Sequence, residues 1–139
     1  MQSYIPIRRT ILLADDNPAP LQTLVEVLHA YEIAGTVGSG TAVLECVGAL
    51  RPDLVVLDIS LGDINGFEVT RRLRTDGCAS KIIFLTVHED MEFIRAAIDL
   101  GASGYIFKSR IGADLTKAID IVFKGGHFTF ISSPLMTEA

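Results

Sequence analysis

Residues 54–58 read Leu54-Val55-Val56-Leu57-Asp58, an unbroken apolar run closed by one acid. Neighbouring side chains on a strand point to opposite faces, so such a run calls for a strand covered on both sides, as inside a parallel sheet. Matching runs occur at Thr10-Ile11-Leu12-Leu13-Ala14, Ile33 to Val37, Ile82-Ile83-Phe84-Leu85 and Tyr105-Ile106-Phe107. Five strands follow, and the segments between them are long enough for helical crossovers. Leu21, Leu24, Val25 and Leu28 keep the spacing of one helix face, with Pro18 suited to a first turn. Weaker helical patterns cover 40–50, 66–75 and 90–100, and a clearer one uses Ile111, Leu115, Ala118, Ile119 and Val122. Strand and helix alternating in this way predict a doubly wound α/β fold, a five-stranded parallel sheet with helices on both faces and right-handed connections.

The composition agrees with one compact domain: 139 residues, 49% of them hydrophobic, suffice for a single core. The expected division is an N-terminal tail over 1–8, a domain over 9–124, and a C-terminal extension or linker remnant over 125–139, where Gly125-Gly126 and Pro134 fall. A net charge of -5 argues against non-specific nucleic-acid binding, because a phosphate backbone would be repelled. Mean hydropathy is high at +0.40, yet charged residues, Gly or Pro break every apolar stretch before spanning length, so no membrane segment is expected. Cys46 and Cys78 are too few for a disulfide framework and lack metal-binding spacing, which fits a reducing cytoplasm.

Ligands of open parallel sheets bind outside the carboxyl ends of the strands. There the sequence places Asp15-Asp16-Asn17 after the first strand, Asp58 after the third, Thr86 after the fourth and Lys108 after the fifth. Three ionised carboxylates about 5 Å apart repel by roughly 3 kcal/mol per pair at an effective dielectric near 20, so the cluster demands a cation. Hard oxygen ligands suit Mg²⁺. Lys108 offers a point charge to an anionic group and Thr86 a hydrogen bond. A carboxylate can attack a phosphoryl group when a metal and a cation absorb the charge on the transferring oxygens. Asp58, alone at its strand end and facing the Asp15–Asp16 pair, is the nucleophile candidate. Singly, each residue has an ordinary reading: Asp15 and Asp16 could simply favour a helix N-terminus, and Asp58 could end a strand. Their joint placement at four strand ends selects the chemical one.

The residues DD at 15 and 16, VVLDISLGDINGFE over 55–68, LT at 85 and 86, and GASGYIFK over 101–108 resemble the receiver domain of two-component response regulators, across nearly the whole chain from Arg9 to Lys124. The segment that begins GYIFKSRIGADL resembles the NarL/FixJ (LuxR-type) subfamily most closely. The resemblance implies a flavodoxin-like sheet of strand order 2-1-3-4-5. It makes Asp58 the phosphoacceptor for a sensor histidine kinase and Asp16 a direct Mg²⁺ ligand, with Asp15 acting largely through water and the Ser60 carbonyl completing the protein ligands. Lys108 would bind the phosphoryl group, Thr86 and Tyr105 would form the switch, and the surface around the fourth helix and fifth strand would carry the readout. Homodimerisation on phosphorylation is a further implication, as is DNA contact through a helix-turn-helix domain absent from this chain. No turnover of an external substrate is expected.

Three positions depart from the family pattern: Gly62 stands where proline is usual, Val87 where a small residue follows the switch threonine, and Ser109 where proline follows the lysine. Gly62 is expected to loosen the loop after Asp58, Val87 to narrow access to the phosphoryl site, and Ser109 argues against a cis peptide after Lys108. Rival readings are an aspartate-nucleophile phosphohydrolase, which normally carries DxD in place of DD and a cap, and a phosphorylation-independent interaction module of the same fold. Gly35, Gly38 and Gly40 lack the GxGxxG spacing of a dinucleotide loop.

Overall fold

A computed structural model of the chain describes residues 9–129; the tail expected over 1–8 and the extension beyond 129 lie outside the described residues. Strands β1 (Thr10–Ala14), β2 (Glu32–Val37), β3 (Leu54–Asp58), β4 (Lys81–Thr86) and β5 (Gly104–Phe107) form one parallel sheet of order β2-β1-β3-β4-β5. Five helices connect or follow them: α1 (Pro18–Val27), α2 (Gly40–Leu50), α3 (Gly66–Thr75), α4 (Met91–Asp99) and α5 (Ile111–Phe123). This is the predicted fold and strand order.

The period of two along each strand sorts the core into two layers. Leu12, Val55, Leu57, Ile82 and Phe84 pack with Val43, Val47, Val69, Leu73, Ile94 and Ala97 from α2, α3 and α4. Ile11, Leu13, Leu54, Val56, Ile83 and Leu85 pack on the other face with Leu24, Leu28, Leu115, Ala118, Ile119 and Val122 from the α1 and α5 side. Complete burial of side chains this size contributes about 1.5–3 kcal/mol each before conformational entropy is charged against it. The α1 face differs from expectation in one place: Leu24 and Leu28 are fully buried, but Val25 is 41% exposed, because the contact with the sheet is narrower than the four-residue stripe. The Leu21 side chain lies outside the described residues.

The segment after α5 is not detached from the domain. Phe128 makes a parallel bridge to Gly104: its N–H donates to the Ser103 carbonyl at 2.9 Å, and its carbonyl accepts the Tyr105 N–H at 2.9 Å. The packed body therefore reaches at least Phe128, beyond the expected boundary at 124. Among the described residues no helix is long and apolar enough to cross a membrane, and Cys46 and Cys78 are free thiols.

Candidate functional site

Sheet register brings the acids together. Ala14 pairs with Leu57, so Asp15 and Asp58 leave adjacent strands side by side, while Asp58 pairs with Leu85 and Thr86 with Phe107, next to Lys108. One carboxylate oxygen from each of Asp15, Asp16 and Asp58 lies within 4.8 Å of the others. Asp15 is fully buried and Asp58 almost so, whereas Asp16 is exposed. Lys108 Nζ reaches between the two buried acids, 2.8 Å from Asp15 Oδ2 and 3.0 Å from Asp58 Oδ2. It is carried on a single 3-10 turn, Lys108–Arg110, whose far end is fixed by a two-pronged contact from Arg110 to the buried Asp114 at 2.7 and 3.3 Å.

The remaining carboxylate oxygens are held by backbone. Asp15 Oδ1 accepts the Asn17 N–H at 2.9 Å, and Asp58 Oδ1 accepts the Ser60 N–H at 3.0 Å. Burial pushes the Asp58 carboxyl above its ordinary value and the Asp15 charge adds to the rise; the Ser60 N–H and Lys108 offset only part of it. Burial works against the charge on Lys108, but Asp15 and Asp58 outweigh it and its pKa is raised.

These residues fit a divalent cation. Asp15 Oδ2 is buried and shares the single Lys108 ammonium, at 2.8 Å, with Asp58 Oδ2 at 3.0 Å. One ammonium faces three carboxylates, and every donor is a hard oxygen, the set that selects Mg²⁺ over softer metals.

Beside the acids, Thr86 is fully buried and its Oγ1 accepts the His88 N–H at 3.0 Å. The Tyr105 ring is also fully buried, and its hydroxyl donates to the His88 carbonyl at 2.8 Å. Burial drives the phenol pKa up to about 12, against a hydrogen bond with Thr86 that lowers it. Thr86 and Tyr105 thus grip the same residue of the β4–α4 loop, and the His88 ring stacks on Phe93 of α4 with centroids 4.2 Å apart. Val87 is 68% exposed and packs into neither core layer.

The loop after Asp58 corrects one expectation. Gly62 does not leave it loose. It takes φ +85°, a left-handed conformation closed to proline, and the next residue, Asp63, is tied to α2: its carboxylate accepts the Gly40 N–H at 2.8 Å, the Thr41 N–H at 3.1 Å and the Thr41 hydroxyl at 2.8 Å. At the far end of the loop, Gly66 packs so closely under Asp58 that a Cβ would stand 2.6 Å from the Asp58 carbonyl. The peptide after Lys108 is trans, as Ser109 led us to expect. Asp63, Gly66 and the His88 carbonyl escaped the sequence reading, because their roles depend on partners distant in sequence or on backbone atoms.

Residues 11–120 match the family model of the response regulator receiver domain. The chain belongs to that family. As a receiver domain it is similar to relatives of the NarL/LuxR type. It is 31% identical over 113 residues to the nitrate/nitrite response regulator protein NarL of Escherichia coli strain K12, covering 79% of this chain and 52% of that protein. It is 33% identical over 132 residues to the transcriptional activator protein ExaE of Pseudomonas putida, covering 92% and 60%. The chain thus spans little more than half the length of these curated relatives. Among solved structures, a LuxR-family two-component response regulator from Aurantimonas sp. SI85-9A1 superposes with a TM-score of 0.85 at 27% identity, covering 95% of this chain and 94% of that one.

Proposed function

We propose that this receiver takes a phosphoryl group from a sensor histidine kinase onto Asp58 in a Mg²⁺-dependent reaction and thereby resets a partner surface. The reading is supported above all by the meeting of Asp15, Asp16 and Asp58 within 4.8 Å, with Lys108 bridging the two buried acids. A carboxylate oxygen of Asp58 attacks phosphorus, the new O–P bond forms as the P–N bond to the kinase histidine breaks, and the imidazole departs. Asp15, Asp16, Asp58 and the Ser60 carbonyl would hold Mg²⁺, which supplies neutralisation of the transferring oxygens. Lys108 stabilises the same developing charge from the protein side.

The phosphoryl group brings about -1.5 to -2 charges and three acceptor oxygens. The Thr86 hydroxyl, whose oxygen accepts the His88 N–H, can then donate its proton to a phosphoryl oxygen. Because Tyr105 binds the carbonyl of that same residue, drawing Thr86 towards the phosphoryl group shifts the β4–α4 loop, and the surface of α4 and β5 is the readout. The names of the relatives and their greater length support a DNA-binding output domain and transcription regulation, and homodimerisation on phosphorylation belongs to the same proposal. The setting is cytoplasmic, and the protein turns over no external substrate.

Incubation with acetyl phosphate and Mg²⁺ followed by intact mass tests the reading. One phosphoryl group is expected on the wild type and none on Asp58→Asn. Equal labelling of the two would overturn the Asp58 assignment, and turnover of an external phosphate ester abolished by Asp58→Asn would favour a hydrolase.

A further inference from the structure

The first turn of a helix leaves four N–H groups without helical partners. In α2 the Ala42 N–H is met locally by Ser39 Oγ at 3.1 Å, and the first helical bond runs from the Val43 N–H to the Ser39 carbonyl at 3.1 Å. The N–H groups of Gly40 and Thr41 are met by a residue more than twenty positions away, Asp63, which also receives the Thr41 hydroxyl. Asp63 lies five residues beyond Asp58. With the Ile64 N–H, these donors hold its carboxyl well below the usual range, the Gly40 N–H contributing most, so it stays ionised wherever the site works.

The loop between Asp58 and Asp63 is fastened on one side by apolar residues: Ile59 and Leu61 are buried, and the Ile59 carbonyl accepts the Gly66 N–H at 2.7 Å. Its outer side, with Ser60 and Gly62, is exposed. Gly62 brings no side chain to pack, and a Cβ there would stand 3.9 Å from Asp16 Oδ2, so this turn backs directly onto an acid of the cluster. Where proline would stiffen the turn covalently, the fastening here is the Asp63–α2 clamp.

We infer that Asp63 is a positioning residue for the metal and phosphoryl site: by clamping the Gly62 turn to the N-terminus of α2 it sets where Ser60 and Asp16 stand relative to Asp58. The inference rests on the Mg²⁺-dependent reading above. Asp63 touches neither metal nor phosphoryl group and acts through the loop. A helix cap with no further role would change stability alone, whereas a positioning residue changes how the carboxylates gather around a cation.

The test is Mg²⁺ affinity of the full chain, measured by amide chemical shifts without phosphodonor, with the labelling rate at Asp58 measured in parallel against Mg²⁺ concentration. Loss of an outer residue that orients metal ligands costs about 10–100-fold in affinity. Asp63→Ala is expected to weaken Mg²⁺ binding by about tenfold or more, with labelling restored at high Mg²⁺. Thr41→Val should weaken it less, and Asp63→Asn, which can still accept from Gly40, should fall between Asp63→Ala and wild type. A folded Asp63→Ala with a lower melting temperature but wild-type Mg²⁺ affinity overturns the inference. If that variant does not fold, wild-type affinity in both Thr41→Val and Asp63→Asn overturns it equally. Wild type that labels on Asp58 keeps the functional reading standing whichever way Asp63 behaves. Wild type that neither binds Mg²⁺ nor labels removes both.

Discussion

At the scale of single residues, the burial of Tyr105 is measurable without a phosphodonor. Its phenol is fully buried, donates to the His88 carbonyl, and has its pKa pushed up from 10.0 to about 12. The folded state therefore keeps a proton that the unfolded chain has lost, so this contribution is complete below pH 10 and vanishes as pH rises from 10 to 12. A shift of that size corresponds to about 3 kcal/mol. Tyr105→Phe keeps the ring and removes the hydroxyl, costing about 1 kcal/mol at neutral pH for the lost hydrogen bonds. Denaturant unfolding of both proteins should show the wild-type advantage shrinking and reversing towards pH 12. An advantage constant across that range would mean the phenol is not buried in the folded protein. Tyr105 was legible as a switch candidate only through family resemblance. The physical reason for its inward position, a backbone carbonyl of His88, has no signature in side-chain pattern.

Elements were legible where a local rule fixed them. The apolar runs at 54–57 and 82–85 demanded buried parallel strands, and that topology alone put Asp15, Asp58, Thr86 and Lys108 on one edge. Contacts between elements were not legible: Asp63 meets α2 across more than twenty residues, and Phe128 joins β5 through backbone groups that any residue carries. The difference appears sharply in two glycines that one substitution treats in opposite ways. Gly48 is exposed in α2 with nothing within 4 Å of an added Cβ, so Gly48→Ala should raise stability by about 0.5–1 kcal/mol through helix propensity. Gly66, the first residue of α3, would drive its Cβ to 2.6 Å from the Asp58 carbonyl and 3.0 Å from Ile59 Cα, so Gly66→Ala should cost about 1–3 kcal/mol. Thermal melts decide both. A neutral Gly66→Ala would show that α3 moves off β3 without penalty, in which case the backbone under Asp58 is not rigidly supported.

The whole molecule carries an electrostatic conflict at one end of its sheet. Its two core layers hold Asp15 and Asp58 in low-dielectric surroundings with one ammonium between them, while Asp16 adds a third acid from solvent. Burial raises the Asp58 pKa, so the folded protein binds that proton more tightly than the unfolded chain. The sign follows: as pH rises from the ordinary value of 3.8 through the raised one, ionising Asp58 makes the metal-free fold less stable, the reverse of a well-paired acid. Asp58→Asn should then raise the metal-free stability at neutral pH by about 1 kcal/mol, or about 3 °C in melting temperature, because uncompensated buried charge is removed while Asp15 keeps its contact with Lys108. Mg²⁺ should resolve the conflict in the wild type. At ten times its dissociation constant it adds about 1.4 kcal/mol, or about 4 °C for a domain of this size, and Asp58→Asn should lose much of that response along with one ligand. Both halves come from one comparison of thermal melts with and without Mg²⁺. An Asp58→Asn protein less stable than wild type without metal, yet equally stabilised by Mg²⁺, would show that the buried acids are already neutralised within the fold and that the cation enters elsewhere.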